Sequence, residues 1–296
     1  MIYNEIDSNK RKSVVLMMIF IAIIIGLGYL FDQVWGTGDY TGVIFAILLS
    51  FGMTAISYFQ GDKIALWSSG AQPIAKEDNP YLYRIVENLC ITAGLPTPKI
   101  YISPDHAINA FATGRKPDMA SIAVTQGAVD KLQNEELEGV IAHELSHIGN
   151  YDIRFMMLVA VLVGAISILS NIFLRMRWMP RRSNDREGGN IGVVLVIVGV
   201  VLAILSPLIA ELIKLAISRK REYLADASGA LLTRYPEGLA NALEKIQTEN
   251  QPLAHATAAT AHMYIANPFN GRNISNLFST HPPIEERIKK LRGMES

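Results

Sequence analysis

The chain has 296 residues, half of them hydrophobic and only 18% charged, and its mean hydropathy is +0.24. Lysine plus arginine equals aspartate plus glutamate, at 27 each, so no global charge points to nucleic acid or an acidic partner. The single cysteine, Cys90, excludes an intrachain disulfide and a Cys-x-x-Cys metal site, and it fits a reducing compartment.

Met1–Ser13 is polar and contains Lys10, Arg11 and Lys12, after which Val14–Phe31 runs without a charge. That run is longer than a signal-peptide core and no small-residue cleavage site follows it, so it reads as a retained membrane helix. Asp32–Thr41 is a short loop without lysine or arginine, and Gly42–Phe59 is a second uncharged run just long enough to span. Basic residues before the first span and none after it place the N-terminus in the cytoplasm, and two spans return the chain to that side.

From Gln60 to Asp152 the texture is that of a globular domain. Asn79 and Pro80 open a helix as N-cap and first helical residue, Gly94 closes it, and Leu82, Ile85, Val86, Leu89 and Cys90 form its apolar face. Three strand-like runs follow, Lys99–Ile102, Ile108–Thr113 and Ala120–Thr125, then a helix near Gln126–Leu132. Asn134 is an N-cap candidate followed by Glu135, Glu136 and Glu138, acids suited to a helix start.

Ile153–Leu174 is a third apolar run, Arg175–Asn190 carries five arginines, and Ile191–Ile217 is a fourth apolar run interrupted by Pro207, Glu211 and Lys214. Both runs are long enough to span, yet the arginine-rich loop would then lie outside, against the positive-inside tendency. A shallow or protein-buried hairpin is the alternative, and either returns the chain to the cytoplasmic side. A helix from Pro236 to about Thr248, an alanine-rich helical stretch around His255–Ile265, a loop at Asn267–Ser279 and a last helix at Pro282–Leu291 complete the chain. The expectation is an integral-membrane, mainly α-helical protein with four apolar helices and a cytoplasmic α+β domain with a small sheet, which the HELSH string at His143–His147 makes zincin-like and catalytic. Its parts are a membrane hairpin at 1–59, a first catalytic half at 60–152, a second hairpin at 153–217 and a second catalytic half at 218–296.

The chemistry centres on HELSH. His143 and His147 are four residues apart, so on a helix they share one face and can ligate one ion from the same side. Glu144 projects about 100° round the helix, beside such a metal, where a general base for an attacking water belongs. A catalytic zinc has three protein ligands and an open position. Glu222 is the best candidate for the third, because it follows the fourth apolar run about as closely as His147 precedes the third. A hairpin leaving and returning on one side brings those ends together, with the HELSH helix running on into the third run. Asp226, four residues beyond Glu222, can accept the free N–H of a ligand histidine. Ser146 has no base and acid around it suited to a serine nucleophile.

HELSHIGNYD followed by SRKREYLADASGA resembles the HtpX-type membrane zinc peptidases, relatives of the CAAX prenyl endopeptidases. INAFATG at Ile108–Gly114 and THPPIEERI at Thr280–Ile288 extend the likeness over most of the chain. The resemblance implies a zinc metalloendopeptidase with one zinc ion on His143, His147 and Glu222, and Glu144 as catalytic base. It implies that Asn109, Ala110, Phe111 and Ala112 form an edge strand that pairs with an extended substrate, since an edge offers unpaired amides. It also puts His281 near the metal, where an imidazolium would stabilise a developing oxyanion. The expected partners are membrane or misfolded proteins and the lipid bilayer, with no nucleic acid and with homo-oligomerisation open. The expected place is the plasma or bacterial inner membrane, multi-pass, with the site facing the cytoplasm and a role in quality control and stress response. His106, His255 and His262 are expected to be non-catalytic. A membrane scaffold with a structural zinc would have no need of Glu144, and a transporter would carry ionisable groups deeper in its spans. A prenyl endopeptidase would have more spans.

Overall fold

The structure, a computed structural model, describes residues 2–35, 40–176, 219–249, 251–257, 259–269 and 281–294. The fourth apolar run and nearly all of the arginine-rich loop lie outside the described residues, so the expected second hairpin is described only in its first helix.

Helices α1 (Ile2–Trp35) and α2 (Thr41–Ser68) form an N-terminal hairpin longer than the two apolar runs. Both are long and apolar enough to cross a membrane, over Ile6–Leu30 and Thr41–Ser68. Val14, Val15 and Met18 on α1 and Phe45, Leu48 and Phe51 on α2 are exposed, whereas Leu16, Phe20 and Ile24 form a buried stripe at four-residue spacing. The helices meet where Gly28 faces Gly42 and Ala46: a Cβ on Gly28 would lie 2.5 Å from that of Ala46. Asp32 caps α2, its carboxylate accepting the N–H groups of Gly42 at 2.8 Å and Val43 at 2.9 Å.

A four-stranded mixed sheet holds the next segment, with β1 (Gln72–Pro73), β2 (Lys99–Ser103), β3 (Ala110–Gly114) and β4 (Ala120–Thr125) in the order β1-β2-β4-β3. Strand β2 pairs parallel with β4, with Ile100 opposite Ile122, and β3 pairs antiparallel with β4, with Ala112 opposite Ile122. Strand β3 is therefore the sheet edge, two residues later in its start than the apolar pattern predicts. Helix α3 (Pro80–Ala93) begins as expected: Asn79 Oδ1 accepts the Leu82 N–H at 2.9 Å, and Gly94 closes it at φ 66°.

A short α4 (Gln126–Lys131) leads to α5 (Asn134–Gly149), which carries HELSH. The cap is Gln133, not Asn134: the Gln133 N–H donates to Glu136 Oε2 at 2.7 Å, and Asn134 is the first helical residue. One buried core joins Leu82, Val86 and Leu89 of α3, Ile100 and Ile122 of the sheet, and Leu137, Ile141 and Leu145 of α5. Leu239 and Leu243 of α8 (Pro236–Glu249) close it from the other side.

Helix α5 does not run straight on into the third apolar run. It stops at Asn150 and Tyr151, the latter at φ 60°, and α6 (Asp152–Met176) leaves at a bend of 86°. Leu158, Leu162 and Val163 of α6 pack with Leu16, Phe20 and Ile24 of α1. Helix α7 (Arg219–Thr233) returns beside α5, and α9 (Ile284–Arg292) starts two residues later than the sequence predicts, after Pro282 and Pro283. Among its described residues, the stretch expected to be helical around His255–Ile265 has only a 3-10 turn at Ala261–Met263. Thr257 and Thr260 there bond to each other and to local backbone, with the Thr257 N–H on Thr260 Oγ1 at 3.1 Å, which competes with helix formation.

Candidate active site

Helices α5 and α7 approach closely enough to share a site because Gly229 faces the backbone of the motif. A Cβ on Gly229 would sit 3.0 Å from His143 N, so any larger residue would push α7 away. That contact brings Glu222, in the first turn of α7, over the two histidines.

His143 and His147 stand one turn apart with their rings nearly perpendicular and their Nε2 atoms 3.2 Å apart. Glu222 Oε1 lies 3.6 Å from His147 Nε2, and Glu222 Oε2 lies 3.8 Å from His143 Nε2. All three residues are buried, and one ligand atom from each lies within 4.8 Å of the others. The remaining ring nitrogens face carboxylates: His147 Nδ1 is 3.0 Å from Asp152 Oδ2, and His143 Nδ1 is 2.9 Å from Asp226 Oδ1, off the axis of an ideal bond. Carboxylates facing both Nδ1 atoms turn both Nε2 atoms towards one place. Two imidazole nitrogens and a carboxylate converging on one buried point fit a cation, and Glu222 Oε2 has no hydrogen-bond donor of its own.

The electrostatics agree. Burial alone would pull His147 down, but the bond to Asp152 and the charge of Glu222 hold its pKa up at about 9. Burial likewise works against Glu222, yet His281, His147, His143 and Arg287 together keep its carboxyl below the usual range. The pocket is built to accept positive charge.

Glu144 is 1% exposed, beside these groups, with Oε2 unbonded. Burial raises its pKa, opposed by the two histidines and by the backbone N–H of Ala112 on β3. His281 Nε2 lies 4.0 Å from Glu222 Oε2. Burial pushes its pKa down to about 4 against the pull of Glu222.

The expected substrate strand is divided. Ala112, in the middle of β3, turns its backbone N–H to the Glu144 carboxylate. Asn109 precedes the strand and is tied inward, its Nδ2 donating to Ala266 O at 3.2 Å and its N–H donating to Thr125 Oγ1 at 2.9 Å. The edge at Ala110 and Phe111 is partly covered by the chain itself. The Ile265 N–H donates to Ala110 O at 2.9 Å, Phe111 bridges Tyr264 antiparallel, and their rings meet edge to face.

Two buried residues were not singled out from the sequence. Asp152 closes the HELSHIGNYD string five residues after His147, a spacing with no standard helical meaning. Arg287 is fully buried, and its Nη1 donates to Ile265 O at 2.7 Å. Its place on one face with Ile284, Ile288 and Leu291 was the available signal, outweighed by the charged neighbours in EERIKK. The remaining histidines stand apart from the group of His143, His147 and Glu222. His106 and His255 are exposed, and His262 is buried with Nε2 3.0 Å from Met156 O.

A model of the family described as Peptidase family M48 matches residues 76–295. A protein named Protease HtpX homolog from Dictyoglomus thermophilum is 47% identical over 292 residues, 99% of this chain and 94% of that one. Another of that name from Caldanaerobacter subterraneus subsp. tengcongensis is 45% identical over 296 residues, 99% of this chain and 98% of its own. The crystal structure of S. mikatae Ste24p superposes with a TM-score of 0.50 at 19% identity, over 97% of this chain and 66% of that one, a likeness of fold.

Proposed function

The chain belongs to peptidase family M48 and is a membrane metalloendopeptidase; on that premise we propose that it hydrolyses extended segments of membrane or misfolded proteins at the cytoplasmic face. The metal is one zinc ion per chain, held by His143, His147 and Glu222. The observation that carries this reading is the convergence of His143 Nε2, His147 Nε2 and the Glu222 carboxylate within 4.8 Å, with both Nδ1 atoms turned to carboxylates. Nitrogen and oxygen ligands in a set of three suit zinc and leave a position for chemistry.

When bound, zinc polarises the scissile carbonyl and makes a water acidic enough to attack it. Glu144 then takes a proton from the attacking water as its oxygen bonds to the carbonyl carbon. It passes that proton to the leaving nitrogen as the C–N bond breaks. His281, beside Glu222, stabilises the oxyanion that develops. Asp226 and Asp152 hold the two ligand rings in one tautomer and orientation. A substrate backbone would add to the β3 edge near Asn109–Ala112, displacing the short pairing of Tyr264 and Ile265 from Phe111 and Ala110, and an extended chain suits that edge.

The domain plan supports the placement. A membrane hairpin at 1–59 precedes the catalytic half at 60–152, and a second hairpin at 153–217 separates it from the half at 218–296. Lys10, Arg11 and Lys12 before the first span orient the site to the cytoplasm of a plasma or bacterial inner membrane. A role in membrane-protein quality control and stress response follows from the resemblance to the HtpX type. The test is cleavage of an unfolded soluble protein and of a membrane protein by the purified chain in detergent, before and after chelation and zinc return. Loss on chelation with recovery on zinc supports the reading, and unchanged cleavage overturns it.

A further inference from the structure

We infer that Asn9, on the first membrane helix α1, is a positioning residue for the ligand His147. The inference rests on the ligand assignment above. Asn9 lies in the polar lead-in to an apolar run, where a short amide ordinarily faces solvent, yet it is only 1% exposed. Its Nδ2 donates to Asn150 O at 3.0 Å and to Asp152 Oδ1 at 2.6 Å. Asp152 presents its other oxygen to His147 Nδ1 at 3.0 Å. An unbroken polar chain therefore runs from the ligand ring through Asp152 to α1.

The rest of the amide is engaged as well. Asn9 Oδ1 faces Arg221 Nη1 at 3.5 Å, and that nitrogen also lies 3.6 Å from Asp152 Oδ1. With two acceptors on one side and a guanidinium on the other, a single orientation of the amide satisfies its surroundings. Ser13 Oγ donates to the backbone O of Asn9 at 2.8 Å, and Lys10 Nζ lies 4.6 Å from the centre of the Tyr151 ring. These contacts converge on the corner between α5 and α6, where Tyr151 takes φ 60° and Asp152 begins the new helix. Asn9 thus holds both the backbone of the corner and the carboxylate that starts after it.

The consequence for the metal is direct. A carboxylate on Nδ1 fixes the tautomer and direction of a ligand imidazole. The terminal torsion of an aspartate is soft, so a carboxylate held at only one oxygen turns easily. Removing the Asn9 donor leaves Asp152 Oδ1 the longer approach of Arg221 Nη1 at 3.6 Å in place of a 2.6 Å bond, so the carboxylate turns more easily and His147 Nε2 is aimed less sharply. The N-terminal helix is then part of the metal site, not only an anchor.

The test uses the full-length protein in detergent. Zinc affinity is measured by competition with a chromophoric chelator, and the cobalt(II)-loaded protein is followed by its visible absorption. Asn9→Leu removes both polar functions, Asn9→Asp keeps the shape and removes the donor, and Asp7→Ala changes an exposed neighbour on α1. Both Asn9 variants are expected to bind zinc about tenfold more weakly and to shift the cobalt spectrum, with Asp7→Ala at wild-type affinity. Affinity of Asn9→Asp within twofold of wild type overturns the inference, whatever Asn9→Leu does through packing. His147→Ala is measured alongside. If it loses affinity and the Asn9 variants do not, only this inference falls; if it keeps wild-type affinity, the ligand assignment falls.

Discussion

Arg287 grips Asp226 at two points, Nε on Oδ2 at 2.9 Å and Nη2 on Oδ1 at 2.7 Å. The guanidinium is fully buried, and the pair lies behind His143, the farther Arg287 Nη1 being 4.0 Å from Glu222 Oε2. The planar fork matches a carboxylate in a way an ammonium does not. Arg287→Met leaves Asp226 buried without its partner, and breaking such a pair costs about 3–5 kcal/mol. Thermal unfolding of the metal-free protein should show a large fall for Arg287→Met and a smaller one for Arg287→Lys. An unchanged midpoint in both would show that Asp226 is held by something else.

Glu144 and Glu222 are two buried carboxylates beside the same two histidines, and the proposed roles separate them. Glu144→Gln should keep one zinc per chain by metal analysis and lose about 10²–10⁴-fold in peptide hydrolysis, the usual contribution of a general base. Glu222→Gln should lower the bound zinc itself. Zinc loss from the first variant and retention in the second would exchange the assignments.

His262 gives a pH prediction away from the metal ligands. It is 1% exposed, and burial, aided by Arg221, pulls its pKa down to about 4 although its bond to Met156 O works the other way. In the unfolded chain the ring titrates near 6.5, so the unfolded state gains a proton first as the pH falls. Its neutral folded form therefore stabilises fully above about 6.5, and that stability is lost progressively as the pH falls from about 6.5 to 4. The loss reaches up to about 3 kcal/mol, and His262→Gln should flatten that part of the stability curve. Parallel curves for the two proteins across that window would refute it.

Cys90 packs in the core beside Leu89 and Val86, and burial pushes its thiol up to about 11 despite a hydrogen bond with Thr97. At pH 8 only about one molecule in a thousand is thiolate, the reactive form. A thiol reagent at that pH should label the folded protein very slowly and one site per chain after denaturation. Rapid labelling of the folded protein would place the thiol at an accessible surface.

The parts of the site visible in the sequence were those set by local geometry. His143 and His147 share a face because of helical spacing, and Glu222 was found by matching distances from two apolar runs. Asp226 followed from one more turn. What stayed hidden depends on the chain folding back on itself. Arg287 reaches Asp226 from 61 positions away, and Asn9 reaches Asp152 from 143. The bend after Asn150 was hidden for another reason: the polar stretch Gly149–Asp152 marks a junction, but hydropathy carries no information about the direction set by a single positive φ at Tyr151. In the alanine-rich stretch, helix propensity pointed one way and Thr257 with Thr260 the other, and the local side-chain bonds prevailed.

The short pairing of Ile265 with Ala110 sets a rule of competition for anything that docks on β3. A strand tethered to the same molecule competes at an effective concentration in the millimolar range. A dilute peptide in solution meets that rival at a disadvantage. A chain confined to the same bilayer arrives at a comparable local concentration. Sharing a membrane would itself be a selector of substrates.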